Sequence, residues 1–270
     1  MLWPKSKDGD DKWHLFTPQF ANGCEVDSWI KNSFIVHAVG ETPTGPWGHH
    51  DVAIPVWAHG SQAVLAPDGT WLLFFVGGWH YTPSQWATCE PNNKTISWPV
   101  EPAGPGLPAV GDCGPVSSGL NAGCGIRVAS SSSPFGPWKI SEVKFKSDAR
   151  PSAKALSCAR SDPTPSILPN GTIFLAFGCG GCVGGLETVG VAKADSWNGT
   201  FAFTSATGAA IAATSQFSCP TGQLAEDPNL FYTDRGWHLI AHGLCAWRKC
   251  TSNQLEPIER RSILNSCSDL

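Results

Sequence analysis

Two kinds of short segment alternate along this chain, and their alternation constrains the fold more than any other sequence feature. In the first kind a tight turn leads into an apolar strand, as at residues 67–75, where Asp68-Gly69 supplies the turn. In the second kind a strand leads into a Gly-Pro-Trp turn, as at residues 34–47 and 126–138. Because one segment of each kind supplies about four short antiparallel strands, each pair has the strand content of one β-propeller blade.

The blades predicted from this alternation lie near residues 1–50, 55–140 and 160–205, with a partial blade from residue 225. No apolar stripe with the 3.6-residue period of a helix is present, so helices should be few. We therefore predict an all-β fold, with a β-propeller domain over residues 1–243 that is incomplete at both ends. Residues 244–270 lose the alternation, show no further strand-and-turn segment, and are predicted to form an atypical C-terminal tail.

A long stretch inside the second blade, residues 84–122, is rich in proline, glycine and cysteine and does not alternate. We predict that this insertion is an irregular loop held in place by cysteines. The candidates are Cys89, Cys113 and Cys124, with Cys113 and Cys124 as the favoured local pair. A disulfide between them requires that their Cα atoms lie within about 7 Å of each other.

Two of the apolar strands open on an acidic residue beside a proline. One opening is Asp162-Pro163 and the other is Glu226-Asp227-Pro228, and each precedes a turn glycine and an apolar strand. If the two units are equivalent, Asp162 and Glu226 occupy corresponding places in successive blades and face one central mouth. We predict that their carboxyl groups are separated by less than about 10 Å. The alternative is that both residues only accept backbone N–H bonds at the start of a strand.

The composition excludes several classes of partner. The chain has 270 residues, of which 41% are hydrophobic and 15% charged, as is typical of a globular protein. A net charge of -4 and a pI of about 6.0 do not favour binding to nucleic acid or to an anionic membrane surface. No stretch approaches the roughly 20 apolar residues of a membrane helix. We predict a monomer without nucleic-acid or membrane partners.

The 11 cysteines favour an oxidising compartment in which disulfide bonds form. N-glycosylation sequons begin at Asn93, Asn170 and Asn198, so we predict a secreted glycoprotein, located outside the cell or in the secretory pathway. The alternative for two of the sequons is that Asn170-Gly171 and Asn198-Gly199 are ordinary turns. No signal peptide follows Met1, so we expect the natural N-terminus to lie further upstream.

The two acidic-proline units resemble those of the five-bladed β-propeller glycoside hydrolases, family 43 and its relatives, over about residues 1–243. The resemblance implies a carbohydrate substrate and inverting hydrolysis of glycosidic bonds in a polysaccharide or oligosaccharide of plant or algal type. In that family the general acid is a Glu that precedes a small residue and a proline. Glu226 matches this pattern, with Asp227 in the middle as a departure. A second acid, an Asp in an Asp-Pro pair, tunes the pKa of the general acid, and Asp162 matches it.

The general base of the family is an Asp at the opening of the first blade. That part of the blade is absent from this chain, so no base is carried over and we expect little or no turnover. Asp51, beside His49 and His50, is the substitute base that the early sequence offers. The alternative to an enzyme is a non-catalytic carbohydrate-binding propeller or an inactive fragment, and a third interpretation is a scaffold for protein interactions.

The chemistry of glycosidic hydrolysis supports the same two acidic residues independently. The reaction needs one protonated and one ionised carboxyl group on opposite sides of the bond. A second carboxylate nearby keeps the acid protonated because it raises the pKa of that acid. Asp162 is therefore expected to raise the pKa of Glu226.

Further residues near these strand openings are candidates for contacts with the sugar. His59 opens the first strand of the second unit and is predicted to bind a sugar hydroxyl, although a lone His is more often structural. Arg160, just before Asp162, either contacts the substrate or faces solvent. Trp57 and Trp79 either stack on a sugar ring or pack between blades.

Cys179 and Cys182 have the spacing of a pair of metal ligands. No second Cys or His pair stands nearby at zinc-site spacing, so a local disulfide or free thiols are preferred to zinc. We predict no metal site and no cofactor.

Overall fold

The computed structural model describes residues 2–3, 12–20, 24, 33–55, 58–77, 125–146, 160–179, 188–204, 224–244 and 261–267. All regular secondary structure in these residues is β, which confirms the all-β prediction. None of them belongs to a helix that is long and apolar enough to cross a membrane. The chain divides into two compact units, Met1–Val143 with Pro169–Gly171, and Lys144–Leu168 with Thr172–Leu270.

The first unit contains two sheets of four strands, each a meander in chain order. The first sheet consists of β1 (Leu2–Trp3), β2 (Trp13–Phe20), β3 (Ser33–Gly40) and β4 (Trp47–Ile54). The second sheet consists of β5 (Ala58–Leu65), β6 (Trp71–Gly77), β7 (Ile126–Ser131) and β8 (Lys139–Glu142). All neighbouring strands in both sheets are antiparallel.

The second unit contains the other two sheets of the described residues. The third sheet consists of β9 (Lys144–Phe145), β10 (Arg160–Ile167), β11 (Ile173–Cys179), β12 (Thr188–Ala194) and β13 (Thr200–Phe203). Its order is β10-β11-β12-β13-β9, and β9 is parallel to β13 whereas the other pairs are antiparallel. The fourth sheet consists of β14 (Leu224–Thr233), β15 (Gly236–Leu244) and β16 (Arg261–Cys267), in that order.

These sheets occupy the predicted blade positions, but the C-terminal tail differs from the expectation. Strand β16 lies within residues 244–270 and pairs with β15, from Trp237 opposite Cys267 to Gly243 opposite Arg261. The tail therefore supplies a third strand to the fourth sheet, which its sequence pattern did not predict. Its sequence is rich in polar and charged residues, so hydrophobic alternation gives no indication of this strand.

The cysteine predictions for the long insertion in the second blade stay predictions. The insertion and its candidate residues Cys89, Cys113 and Cys124 lie outside the described residues.

The hydrophobic core of the first unit forms around β3 of the first sheet and β6 of the second. Every residue of β6 is buried. Trp71, Leu73 and Phe75 alternate along β6, so they share one face, and they pack in one cluster with Phe16 and Ile35. Burial on both faces explains the continuous apolar sequence of this strand.

The core of the second unit joins its two sheets. Phe174 on β11 packs in one cluster with Leu230 on β14 and with Trp237 and Leu239 on β15. The ring centroids of Phe174 and Trp237 are 4.5 Å apart. The third and fourth sheets therefore bury their apolar side chains against each other.

The turn glycines show that three of the repeat units are locally equivalent. Gly69, Gly171 and Gly236 follow the first strands of their sheets and have φ values of 88°, 88° and 107°. This backbone region is open to glycine and strained for most other residues. These glycines therefore give a common reference point from which positions in the three first strands are compared.

Candidate active site

The acidic residues lie at a local irregularity of the strands rather than in regular pairing. On β10, Ser161 pairs with Gly178 of β11, and the next paired residue, Thr164, lies opposite Ala176. Asp162-Pro163 therefore occupies the space of one residue on the partner strand. This arrangement is a β-bulge, in which one extra residue bends the strand and redirects its side chains.

The same bulge occurs in the first strands of two other sheets. Strand β14 has it at Asp227-Pro228, between Glu226 and the next paired residue. Strand β5 has it at Gly60-Ser61, directly after His59. The first residue of the bulge is left-handed in each strand, with φ of 58° at Gly60 and 48° at both Asp162 and Asp227. Asp is among the few non-glycine residues that tolerate this conformation.

The bulges correct the predicted equivalence between the two acidic openings. The structural counterpart of Asp162 is Asp227, since both are left-handed bulge residues. Glu226 lies one position earlier, as the last paired residue before the bulge, and corresponds to Ser161 and His59. The predicted correspondence between Asp162 and Glu226 is therefore offset by one residue, since the acid directly before the proline in β14 is Asp227.

A hydrogen bond links β10 to the bulge of β14 within the second unit. Strand β10 packs against β14. The hydroxyl of Thr164, just after the first bulge, donates a hydrogen bond to the backbone carbonyl of Pro228 in the second. Asp162 is half-buried, whereas the side chain of Glu226 lies outside the described residues, so the predicted carboxyl separation stays a prediction.

His59 is held as a neutral imidazole in the first unit. Its Nδ1 lies 2.6 Å from the hydroxyl oxygen of Ser33, and the ring of Phe20 is 5.9 Å away between centroids. Burial disfavours the charged form and lowers the pKa of His59 to about 4. At neutral pH the ring is therefore uncharged, and one of its two nitrogens is engaged by Ser33.

The remaining predicted sugar contacts cannot be assessed from side-chain positions. Trp57 and Trp79 lie outside the described residues, as does the side chain of Arg160. The backbone of Arg160 is the first residue of β10 and pairs with Cys179. Among the residues whose side chains are described, no group of three or more His, Cys, Asp or Glu is arranged to hold a metal ion.

One polar cluster was missed by the sequence analysis. His14 Nδ1 and His37 Nε2 lie 2.8 Å apart, and both residues are 0% exposed. His37 Nδ1 lies 3.4 Å from a carboxylate oxygen of Asp51, which is the early acid considered as a substitute base. Phe16 stacks on His37 with 4.6 Å between ring centroids. Backbone pairing of His37 with Asp51 across β3 and β4 produces this contact, and sequence spacing alone does not reveal that pairing.

Sequence comparisons find no matching protein-family model and no similar curated protein. Solved structures with a similar fold do exist. An endo-1,4-beta-xylanase from Bacteroides thetaiotaomicron is 18% identical, with a TM-score of 0.54, over 98% of this chain and 69% of that one. An endo-arabinase from the same organism is 10% identical, with a TM-score of 0.57, over 100% of this chain and 74% of that one.

A third similar structure is the GH43_1 enzyme from Xanthomonas citri, which was solved in complex with xylotriose. It is 18% identical, with a TM-score of 0.51, over 90% of this chain and 63% of that one. At these identities the comparisons establish the fold, and they confirm the prediction made from the repeats. The chain has the fold of the five-bladed β-propeller glycoside hydrolases of family 43 and its relatives.

Proposed function

We propose that this chain is a glycoside hydrolase-like propeller that acts on glycosidic bonds of a polysaccharide or oligosaccharide by an inverting acid/base mechanism. The observation that carries the proposal is the pair of joined Asp-Pro bulges in β10 and β14, on the fold of known glycosidases. In inverting hydrolysis one carboxylic acid protonates the leaving oxygen while water attacks the opposite face of the sugar.

Glu226 is the general acid in this proposal and Asp162 is the residue that keeps it protonated. Contact between β10 and β14 supports this pairing, because it brings the backbones of the two acidic strand openings together. A carboxylate close to Glu226 favours the protonated form of its side chain. Asp227, in the position where the related enzymes have a small residue, is the departure that a test of this assignment has to include.

A neighbouring structure guides the choice of ligand. The enzyme from Xanthomonas citri was crystallised with xylotriose, and the two neighbours from Bacteroides thetaiotaomicron are named as a xylanase and an arabinase. We therefore propose xylan-type and arabinan-type oligosaccharides as the first ligands to test. His59 supplies a neutral hydrogen-bonding ring to a sugar hydroxyl, and Arg160, Trp57 and Trp79 are further proposed contacts.

The second candidate function is carbohydrate binding without catalysis, either as a binding propeller or as an inactive fragment. One observation favours it: the carboxylate of Asp51 lies against the buried ring of His37, so it serves a structural contact. No general base is then assigned in this chain, and turnover with water as the nucleophile is expected to be very slow.

We propose that the protein is monomeric and located outside the cell or in the secretory pathway, with disulfide bonds and glycosylation. Cys24 is buried and disulfide-bonded, which supports an oxidising compartment. The sequon residues Asn170 and Asn198 are exposed in turns, where glycosylation is sterically feasible. Treatment with an N-glycosidase, followed by mass spectrometry of a secreted sample, tests the glycosylation.

Azide separates the two candidate functions. As an anion it attacks the anomeric carbon without a general base, while Glu226 donates its proton to the leaving oxygen as the glycosidic C–O bond breaks. If the chain is a glycosidase that lacks only its base, azide should restore turnover of xylotriose or arabinotriose to a glycosyl azide and a shorter sugar.

The control variant for this experiment is Glu41→Gln, which changes an exposed carboxylate. We expect Glu226→Gln to abolish the azide-dependent reaction and Glu41→Gln to leave it unchanged. Oligosaccharide binding without any azide-dependent product would favour the non-catalytic function. The absence of both binding and product would exclude both functions for these sugars and favour a scaffold.

A further inference from the structure

The backbone carbonyl of Pro228 lies in the bulge of β14. Pro228 has no partner residue on β15, because the paired residues jump from Glu226 to Asn229. Proline also lacks an N–H group and cannot donate to a neighbouring strand. The hydrogen bond that this carbonyl accepts comes from the side chain of Thr164 on β10. A side chain of the third sheet therefore supplies the hydrogen bond to a bulge carbonyl of the fourth sheet.

This hydrogen bond lies in the interior of the second unit. Thr164 is 1% exposed, and Pro228 and Pro163 are buried. A buried carbonyl that loses its donor cannot form a replacement hydrogen bond with bulk water. Breaking the bond between Thr164 and Pro228 is therefore energetically costly. The hydroxyl of Thr164 and the carbonyl of Pro228 are consequently held at a fixed separation.

The bond connects the two acidic openings by a short path. Thr164 follows Asp162 by two residues, and Pro228 follows Glu226 by two residues. Each of these three-residue segments contains a proline, Pro163 in β10 and Pro228 in β14. The proline ring fixes φ and so limits the backbone freedom of the segment. We propose that Thr164 is a positioning residue that sets the separation of the Asp162 and Glu226 carboxyl groups, an inference that rests on the proposed function.

The same position in the other bulged strands carries side chains with hydrogen-bond donors. The first paired residue after the bulge is Gln62 on β5 and Asn229 on β14, in the place that Thr164 holds on β10. Strand propensity accounts for Thr164 but not for Asn229, because Thr is enriched in strands and Asn is depleted. Each of the three side chains can donate a hydrogen bond, and for Thr164 the acceptor is the carbonyl of Pro228.

Matched variants separate the hydroxyl from the shape of the side chain. Thr164→Val keeps the branched shape and removes the donor, whereas Thr164→Ser keeps the donor and removes a methyl group. Thr204→Val is the control, because the hydroxyl of Thr204 also donates to a backbone carbonyl, that of Val191 at 3.1 Å, away from the bulges. If Thr164→Val does not fold, Thr164→Ala replaces it, since it lacks the donor and adds no bulk.

The readout is the titration of Glu226, followed by carboxyl ¹³C NMR with and without Asp162→Asn. In the otherwise natural chain, Asp162→Asn should lower the titration midpoint of Glu226 by about one pH unit, since it removes a neighbouring negative charge. Thr164→Val should reduce this response by at least half, while Thr164→Ser and Thr204→Val should preserve it. Thermal unfolding of each variant confirms that the compared proteins are folded.

The outcomes distinguish this inference from the proposed function. If Asp162→Asn shifts the Glu226 midpoint equally with Thr or Val at position 164, Thr164 does not position the pair and the inference is overturned. If Asp162→Asn has no effect in the natural chain, the two carboxylates are not coupled, and the assignment of Asp162 fails together with the inference. The Glu226 shift caused by Asp162→Asn could also be lost in Thr204→Val. The loss would then be a general effect of destabilising the second unit, and the inference would be overturned.

Discussion

Asp162 and Asp227 adopt the same left-handed backbone conformation, with φ of 48° in each, at corresponding bulges of β10 and β14. A positive φ is uncommon for a non-glycine residue even when it is Asp, so its occurrence at both bulges shows that the two strands share one local geometry. In β5 the corresponding residue is Gly60, with φ of 58°. The sheet with a glycine therefore has no carboxylate at this position, whereas the two sheets of the candidate site each have one.

The left-handed backbone predicts an unusual order of stability at Asp227. Both Asp227→Ala and Asp227→Gly remove the carboxylate, but only Ala keeps a Cβ in a region where it meets the backbone. We expect the Gly variant to be more stable than the Ala variant by about 1 kcal/mol in urea unfolding. At Asp195, an exposed turn residue without positive φ, the order should reverse, since glycine gains more unfolded-state entropy. The same order at both sites would contradict the assigned backbone conformation.

The sequence predicted the strands and their grouping because strong periodic features carry that information. Turn glycines such as Gly69 and Gly171 precede continuous apolar strands, and tertiary packing agrees with this local pattern. The bulges were missed because one extra residue in a strand leaves no mark of its own in the sequence: the acidic residues and the proline look the same with or without it. Counting back from the turn glycine places Asp227, not Glu226, at the position of Asp162, so the information was present in the spacing.

Contacts between residues on different strands were also not predicted from the sequence. The hydrogen bond from Thr164 to Pro228 and the contact of His37 with Asp51 depend on which residues lie opposite each other. Hydrophobic alternation predicts which face of a strand is buried, but a shift of two residues leaves that face unchanged, so the partner of each residue is not fixed. The strand β16 shows the same limit, since it completes the fourth sheet without an apolar pattern of its own.

Burial of His59 predicts that the free energy of unfolding depends on pH. The pKa of His59 is about 4 in the folded protein, against an ordinary value of 6.5. Between these values the unfolded chain binds a proton that the folded protein does not. The stability is therefore fully present above pH 6.5, decreases as the pH falls towards 4, and loses no more below that. We expect this single residue to account for about 3 kcal/mol of the decrease.

A comparison of variants isolates the contribution of His59 from other titrating groups. The unfolding free energies of the natural chain and of His59→Gln are measured in urea from pH 7 to pH 4. As the pH falls, the natural chain should lose about 3 kcal/mol more stability than the variant. Ser33→Ala is the control, because it removes the hydrogen bond at Nδ1 and keeps the ring buried. It should lower stability with little change in pH dependence. A constant difference between His59→Gln and the natural chain would show that His59 titrates normally.

The buried contact between His14 and His37 predicts strong coupling between substitutions. One nitrogen of the pair donates and the other accepts, so replacing either ring with Phe leaves a buried nitrogen with its partner removed. Each single substitution should be destabilising, and the double substitution should cost less than the sum, with a coupling of about 1 kcal/mol. Urea unfolding of the four proteins measures this value. Additive effects would show that the two nitrogens do not share a hydrogen bond.

The assignment of Glu226 as the general acid predicts a dependence on the leaving group. An alkoxide leaves slowly unless it is protonated, whereas a dinitrophenolate leaves without a proton because it is a weak base. With azide as the nucleophile, Glu226→Gln should therefore reduce cleavage of xylotriose by a factor of about 10² to 10⁴. Cleavage of a dinitrophenyl xyloside should change far less. Asp227→Asn is the matched variant, since Asp227 is the adjacent acid but lies in the bulge. Because it keeps Glu226, it should cleave both substrates at rates close to those of the natural chain. Equal losses on both substrates in Glu226→Gln would assign Glu226 to substrate binding, and a larger loss on xylotriose in Asp227→Asn than in Glu226→Gln would transfer the acid role to Asp227.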